Sequence, residues 1–404
     1  MQPIPTASRQ LDQYNQWLEP TTTNQLTELA TRLRGKKIYE VNATANGGGV
    51  AELLSSQLGL MKSLGLDADW LVIPPDDRFF ATTKQLHNRL QGNTTGLVET
   101  EYYEQYLAKV NTLLPTDGDL YILHDPQTAG LIAQLDPTKV IWRCHIDTST
   151  SDPATRDWLI GYVGQAAKLI FSLPEFAHGI ASHQVAIVYP ATDPLVAKNL
   201  PLTADHTTAI LKQSGIDPAS EFITQISRYD HFKDPLGVIR LHQQLQKTMP
   251  QLRCVLLGNY ADDDPEGAAI FAEVQAAAGP NCHVLVNAVN NDDLVNALQS
   301  RAKAVIQYSN REGFGLTVTE AMWKSGLVFA RPSGGIGLQI LSGKTGLIAT
   351  GDPALDATTL LTGWQDAELM EQLRRGGHEH VRKHFLTPIM LRDYLSVYAN
   401  VLGV

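Results

Sequence analysis

The chain has 404 residues, 43% of them hydrophobic and 18% charged, with a formal net charge of −10. That length exceeds one ordinary core and suits two domains, and the composition is that of a folded globular protein rather than a disordered one. The acidity argues against a nucleic-acid partner, which needs a net basic face, so any phosphorylated substrate must meet a local basic pocket. Cys144, Cys254 and Cys282 are odd in number and widely spaced. They form neither a disulfide framework nor a zinc motif, and read as buried small residues in a reducing compartment. The opening Met-Gln-Pro-Ile-Pro-Thr-Ala has no basic and apolar signal-peptide regions, and no run approaches ~18 apolar residues. No membrane span and a cytoplasmic location are expected.

In chain order, the first unit is a strand at Lys37 to Asn42, a glycine run and a helix. Val50, Leu53, Leu54, Leu58, Met61 and Leu64 share one face of that helix. Strands follow at Ala68–Ile73, Asp119–Leu123, Lys139–Cys144, Lys168–Phe171 and Gln184–Val188. The alternation breaks into proline-rich, polar sequence from Tyr189 to Pro201, read as the interdomain region. A second series has strands at Glu221–Ile226, Arg253–Leu257, Cys282–Val286, Ala304–Gln307 and Leu327–Ala330. A last helix runs from Thr387-Pro388 to Leu402, with proline at its start. Strand–helix alternation of this kind predicts two doubly wound parallel sheets, with ligands at the carboxyl ends of the strands.

The segment Arg311-Glu312-Gly313-Phe314-Gly315-Leu316-Thr317-Val318-Thr319-Glu320 follows a strand and opens a helix near Leu316. Its glycines let a ligand approach the backbone, and the helix start offers N–H groups to an anion. Glu312 in the loop and Glu320 about two turns on can accept from hydroxyls at two places on one elongated ligand. Arg228 and Lys233 follow the first strand of the second series, where two cations suit a leaving diphosphate. In the first half, Gly47, Gly48 and Gly49 after the opening strand let the backbone approach a sugar or phosphate. They do not make G-x-G-x-x-G, and the acidic residue of a dinucleotide site is not evident. His145 and Asp147, in Trp142-Arg143-Cys144-His145-Ile146-Asp147, sit at another strand end, as does His124-Asp125-Pro126-Gln127. His145 suits sugar hydroxyls or a charged transition state. Asp262-Asp263-Asp264 and Asn291-Asp292-Asp293 precede helical segments, where acids favour the helix N-terminus over a metal. H-E-x-x-H, P-loop lysine and G-x-S-x-G motifs are absent.

In order along the chain, these segments resemble glycosyltransferase family 4 and, within it, the trehalose glycosyltransferring synthases. Glu312-Gly313-Phe314-Gly315 with Glu320 is similar to the E-x7-E element of retaining enzymes of the GT-B type. Asn46 to Glu52, Trp142 to Asp147, Leu173-Pro174-Glu175, Asp263 to Gly267 and Gly315 to Lys324 carry the narrower likeness, which spans about Arg34 to Asp352. The resemblance implies an α/β GT-B fold: two Rossmann-like doubly wound domains, 1–200 and 201–385, facing a cleft, and a helix at 386–404 crossing back to the first. It implies transfer of glucose from an ADP-, UDP- or GDP-glucose to glucose, reversibly and with retention, giving trehalose.

By the same resemblance, Glu312 binds the donor glucose and acts with His145 as the catalytic pair. Glu320 binds the ribose, and Arg228 and Lys233 hold the diphosphate. Gly313, Phe314, Gly315, Leu316 and Thr317 complete the donor site, and Gly47, Gly48, Gly49 and Asp147 the acceptor or phosphate loop. No cofactor is required, with Mg²⁺ at most a stimulant, and the partners are sugars and nucleotide sugars, with room for a homodimer. The Arg331 to Gly337 loop matches the family's glycine-rich loop, but its flanks are less usual. A retaining trehalose phosphorylase, another family 4 hexosyltransferase and a sugar-binding regulatory protein on the same fold stand as alternatives.

Overall fold

The structure, a computed structural model, describes residues 1–45, 49–94, 96–258, 265–286 and 292–404. It divides into two units, Met1–Ala191 with Phe385–Val404, and Thr192–His384.

In the first unit, β1 (Lys37–Asn42), β2 (Asp67–Val72), β3 (Leu120–His124), β4 (Val140–Arg143), β5 (Lys168–Phe171) and β6 (Val185–Ile187) form one sheet. Its order is β2-β1-β3-β4-β5-β6, and every pairing is parallel. Such a sheet is covered on both faces, so its central strands are near-continuous apolar runs; β3 and β4 are buried along their whole length. The helix Gly49–Ser63 buries Leu53, Leu54, Leu58 and Met61 of the predicted face, while Val50 and Leu64 are half-buried and Leu64 follows the helix end; Ala51, Gln57 and Leu60 are buried as well. The helix Thr387–Leu402 begins with proline in its first turn and buries Ile389, Leu391, Tyr394, Leu395 and Tyr398. It packs on the helices Pro20–Arg32 and Gly49–Ser63, so the end of the chain returns to the first unit. The strand order reverses between β1 and β3, the place where a doubly wound sheet opens a crevice beyond its strand ends.

The second unit repeats the plan. Its strands are β7 (Phe222–Ile226), β8 (Arg253–Gly258), β9 (Cys282–Val286), β10 (Ala304–Gln307), β11 (Val328–Ala330) and β12 (Leu347–Ile348). They run parallel in the order β12-β11-β10-β7-β8-β9. Ile223, Val238, Leu256, Ile306, Phe329 and Leu360 belong to the core beneath it. Here the reversal falls between β7 and β10. The predicted strands lie within one residue of the observed ones; β12 was not foreseen. Cys254 and Cys282 face each other across β8 and β9, and all three cysteines are free.

Candidate active site

The sequence places its candidate residues at strand ends; in the structure β7 and β10 flank one reversal point and β1 and β3 the other, with His145 and Asp147 one strand further on, after β4. In the second unit β7 runs into a short turn, His231–Lys233, whose start Asp230 caps by accepting from the Lys233 N–H at 3.0 Å. Asp234, at φ +45°, then caps the helix Pro235–Gln246 through the Gly237 N–H at 2.9 Å. This pair of caps fixes where the Lys233 side chain leaves the backbone. Beyond the neighbouring strand β10, the loop carries Glu312, and Lys233 Nζ donates to Glu312 Oε2 at 2.5 Å. Ser309 Oγ donates to the same oxygen at 3.2 Å.

The loop after Glu312 is held from both sides. Gly315 has φ +89° and forms the N-cap of the helix Leu316–Trp323. A Cβ there would stand 2.8 Å from Ile336 Cγ1 and 3.3 Å from Glu312 Cγ, so only glycine fits the conformation and the space. Gln339 donates to the Phe314 carbonyl at 2.7 Å and accepts from Thr319 Oγ1 at 2.8 Å. Arg331 braces the next loop through Asp234 at 3.0 Å and the Tyr308 carbonyl at 2.9 Å. The helix starts at Leu316 as predicted, so the N–H groups of Leu316 and Thr317 are first-turn donors without an intrahelical acceptor.

Glu320 lies on that helix and is buried, and Lys198 Nζ stands 2.8 Å from its Oε1. Lys198 belongs to the turn Ala197–Asn199, which Asn199 pins by donating to Thr192 Oγ1 and accepting from Lys324 Nζ, at 2.8 and 2.7 Å. Each glutamate of the pair therefore faces a lysine. Sequence reasoning found Lys233 and missed Lys198, which sits in the stretch read only as a connection. Arg228 is not drawn to either glutamate: its side chain is 63% exposed and pairs with Asp230 at 3.2 Å.

In the first unit, β1, β3 and β4 bring together a buried polar chain. His124 Nε2 lies 2.7 Å from Glu40 Oε2, and His124 Nδ1 lies 2.9 Å from His145 Nε2. Tyr398 O–H and Gln57 Nε2 donate to the other Glu40 oxygen at 2.6 and 3.0 Å. Glu40, Gln57, His124 and Tyr398 are almost fully buried, while His145 and Asp125 are partly so. Asp125, a non-glycine residue at φ +62°, accepts from the His145 N–H at 2.7 Å and sets the turn on which His145 rides. Burial pushes the Asp125 carboxyl up to about 6, against the pull of that N–H and of the Arg143 charge. Burial, with the Arg143 charge behind it, holds His145 well below the ordinary histidine range, so its ring is neutral near pH 7. Burial likewise drives the Tyr398 phenol well above its usual value. Arg143 is fully buried, donates to Ser172 Oγ at 3.0 Å and lies 5.9 Å from the Tyr394 ring centroid.

The remaining candidates separate. Asp147 is buried, and its Oδ1 accepts from the Ser149 N–H and Oγ at 2.9 and 2.6 Å, which commits it to a local turn. Gly49 opens its helix. Gly47 and Gly48 lie outside the described residues, as do Asp262 to Asp264. Among the described residues no group of three or more His, Cys, Asp or Glu is placed to hold a metal ion. No helix of the described residues is long and apolar enough to cross a membrane. Glu40, Gln57 and Tyr398 were not foreseen.

Comparison with known proteins joins the two halves. Residues 40–178 match the family model for the trehalose synthase N-terminal domain, and residues 206–377 that for glycosyl transferases group 1. A trehalose synthase from Rubrobacter xylanophilus is 38% identical over the whole of both chains. A trehalose phosphorylase from Grifola frondosa is 28% identical over 92% of this chain and 58% of its own. Among solved structures, a UDP-forming α,α-trehalose-phosphate synthase from Burkholderia xenovorans superposes with a TM-score of 0.72 at 14% identity, covering 91% of this chain and 99% of that one. The chain belongs to the trehalose synthase family of group 1 glycosyltransferases; it has the GT-B fold and is a hexosyltransferase.

Proposed function

We propose that the protein transfers glucose, reversibly and with retention, from a nucleoside-diphosphate glucose to glucose, forming trehalose. The observation that carries this reading is the Lys233–Glu312 pair at the β7/β10 reversal, at 2.5 Å and largely shielded from water. A cation held there by a carboxylate meets a leaving diphosphate without the desolvation cost of an isolated ammonium. Glu312 keeps acceptor capacity for the hydroxyls of the donor sugar, and the first-turn N–H groups at Leu316 and Thr317 add neutral donors for phosphate oxygens. Glu320, further along the same helix, serves the ribose. Gly313, Phe314 and Gly315 let the sugar approach the backbone, and Arg228 adds an exposed cation.

In the first unit His145 is the group for the reacting sugar, with Gly47 to Gly49 and Asp147 shaping the acceptor loop. Glu312 and Glu320 are each engaged by a lysine, which suits binding better than attack on the anomeric carbon. Same-face substitution follows: the diphosphate oxygen leaves and takes the acceptor proton while the acceptor oxygen bonds to the carbon it departs from. Cationic side chains then replace a metal bridge.

Purified protein incubated with trehalose and ADP, UDP or GDP in turn should give nucleoside-diphosphate glucose, with an α anomeric signal by NMR. The phosphorylase relatives give a second reading weight. Under it, inorganic phosphate and trehalose yield glucose 1-phosphate, and no nucleotide serves. Sugar binding without turnover in any of these mixtures would leave a binding protein.

A further inference from the structure

With Glu40 ionised and both imidazole rings neutral, the Glu40–His124–His145 chain has one hydrogen-bond arrangement that satisfies every member. An ionised Glu40 only accepts, and it takes three donors: Tyr398 O–H and the Gln57 amide at Oε1, His124 at Oε2. His124 therefore carries its proton on Nε2. In the neutral ring Nδ1 is then an acceptor, so the proton in the 2.9 Å contact belongs to His145 Nε2. His145 is left with an unprotonated Nδ1. The buried Arg143 guanidinium behind the rings, two of whose nitrogens have no partner among the described residues, disfavours a second cation there. The other groups facing the chain are Asp125 at the His145 backbone, Tyr394 and Tyr398 from the last helix, and Cys144 beside it.

We infer that Glu40 and His124 are positioning residues which fix His145 in its Nε2–H tautomer, so that Nδ1 is offered as a hydrogen-bond acceptor to a hydroxyl of the bound hexose. The contact with sugar rests on the proposed function; the tautomer does not. Orientation follows from the same contacts, because the His124 and His145 rings lie nearly parallel with centroids 5.3 Å apart. Tyr398 ties this arrangement to the last helix of the chain, 358 positions from Glu40.

One substitution discriminates this from simple packing. In Glu40→Gln the Tyr398 and Gln57 donors claim the amide oxygen, so the amide NH₂ must point at His124 Nε2. His124 then holds its proton on Nδ1, and His145 accepts at Nε2 and carries its own proton on Nδ1. A single isosteric change reverses two tautomers.

The test is long-range ¹H–¹⁵N NMR on the full-length protein labelled at histidine, with His145→Gln assigning the resonances. Wild type should show His145 with a protonated Nε2 and a bare Nδ1, and Glu40→Gln the opposite. Adding saturating trehalose with ADP, UDP or GDP should move the wild-type Nδ1 signal as it gains a donor. In Glu40→Gln, kcat/KM for trehalose should fall roughly tenfold, the value of one neutral hydrogen bond. A charged or Nδ1-protonated His145 in the wild type overturns the inference and needs no variant to fold. An unchanged tautomer in folded Glu40→Gln also overturns it. A correct tautomer that ignores every sugar and nucleotide mixture removes the sugar contact alone. Absence of trehalose chemistry with the tautomers as stated would count against the proposed function and leave the chain of tautomers standing.

Discussion

Lys233 and Glu312, 79 positions apart, meet at 2.5 Å with both side chains about one-seventh exposed, because β7 and β10 are neighbours at the reversal of the second sheet. Neither residue lies in a strand or an α-helix. Each is fixed by caps and turns at the strand end, so the pair is built by topology first and by local hydrogen bonds second.

Replacing Lys233 separates its two roles. Lys233→Ala should lower turnover by roughly 10²–10³, the cost of losing one preorganised donor to a developing negative charge. It also leaves Glu312 Oε2 with Ser309 as its remaining side-chain donor among the described residues, a loss of about 1–3 kcal/mol in stability. Steady-state kinetics with a thermal melt checks both. Turnover near that of the wild type would make Lys233 a structural partner of Glu312 and nothing more.

How much of this was legible follows from range. The central strands announced themselves as apolar runs, since a doubly covered parallel sheet leaves no alternation to misread. The strand β12 is two residues, Leu347–Ile348, defined only by its pairing with β11, and no local pattern marks it. Glu312, Glu320 and Lys233 were found because a glycine turn and a strand end flag them locally. Lys198 was missed because its partner is 122 positions away on another element. Glu40 left one usable trace: a carboxylate inside Lys-Ile-Tyr-Glu-Val-Asn, a strand buried along nearly its whole length, must have partners. Which partners they are, Tyr398 above all, only the return of the last helix decides.

Asp125 offers a test by pH. Its folded carboxyl keeps a proton up to about pH 6, whereas an unperturbed one releases it near 3.8. Between those values the native state binds more protons than the unfolded chain, so stability falls as pH rises through the window and stays lower above it. The full shift corresponds to at most about 3 kcal/mol, and partial exposure reduces it. Asp125→Asn keeps an acceptor for the His145 N–H and tolerates φ +62°. The variant should therefore gain stability on wild type as pH rises from 4 to about 6.5 in melting-temperature scans. Parallel scans across that window would show that Asp125 titrates normally.

Metal removal is expected to matter little. With Lys233 and Arg228 at the proposed diphosphate, EDTA should reduce activity only modestly. Complete loss on chelation, restored by Mg²⁺, would bring the Asp262-Asp263-Asp264 run back as a metal site.

The two glutamates should fail differently. Glu312 is assigned to the donor glucose, where charge develops during transfer, and Glu320 to the ribose, which is the same before and after. An interaction equal in ground and transition states sets KM, while one that strengthens in the transition state sets kcat. Glu320→Gln should thus raise KM for the nucleotide by roughly tenfold or more, in line with a charge-assisted hydrogen bond, with kcat changed little. Glu312→Gln should lower kcat and kcat/KM together. Lys198→Met makes the assignment sharper: it frees Glu320 from its 2.8 Å partner without touching the reacting end of the site. Its effect should therefore also fall on nucleotide KM. Initial rates over a grid of nucleotide and trehalose concentrations separate the parameters. A kcat defect in Glu320→Gln as deep as that of Glu312→Gln would place both carboxylates at the reacting sugar and end the division of roles.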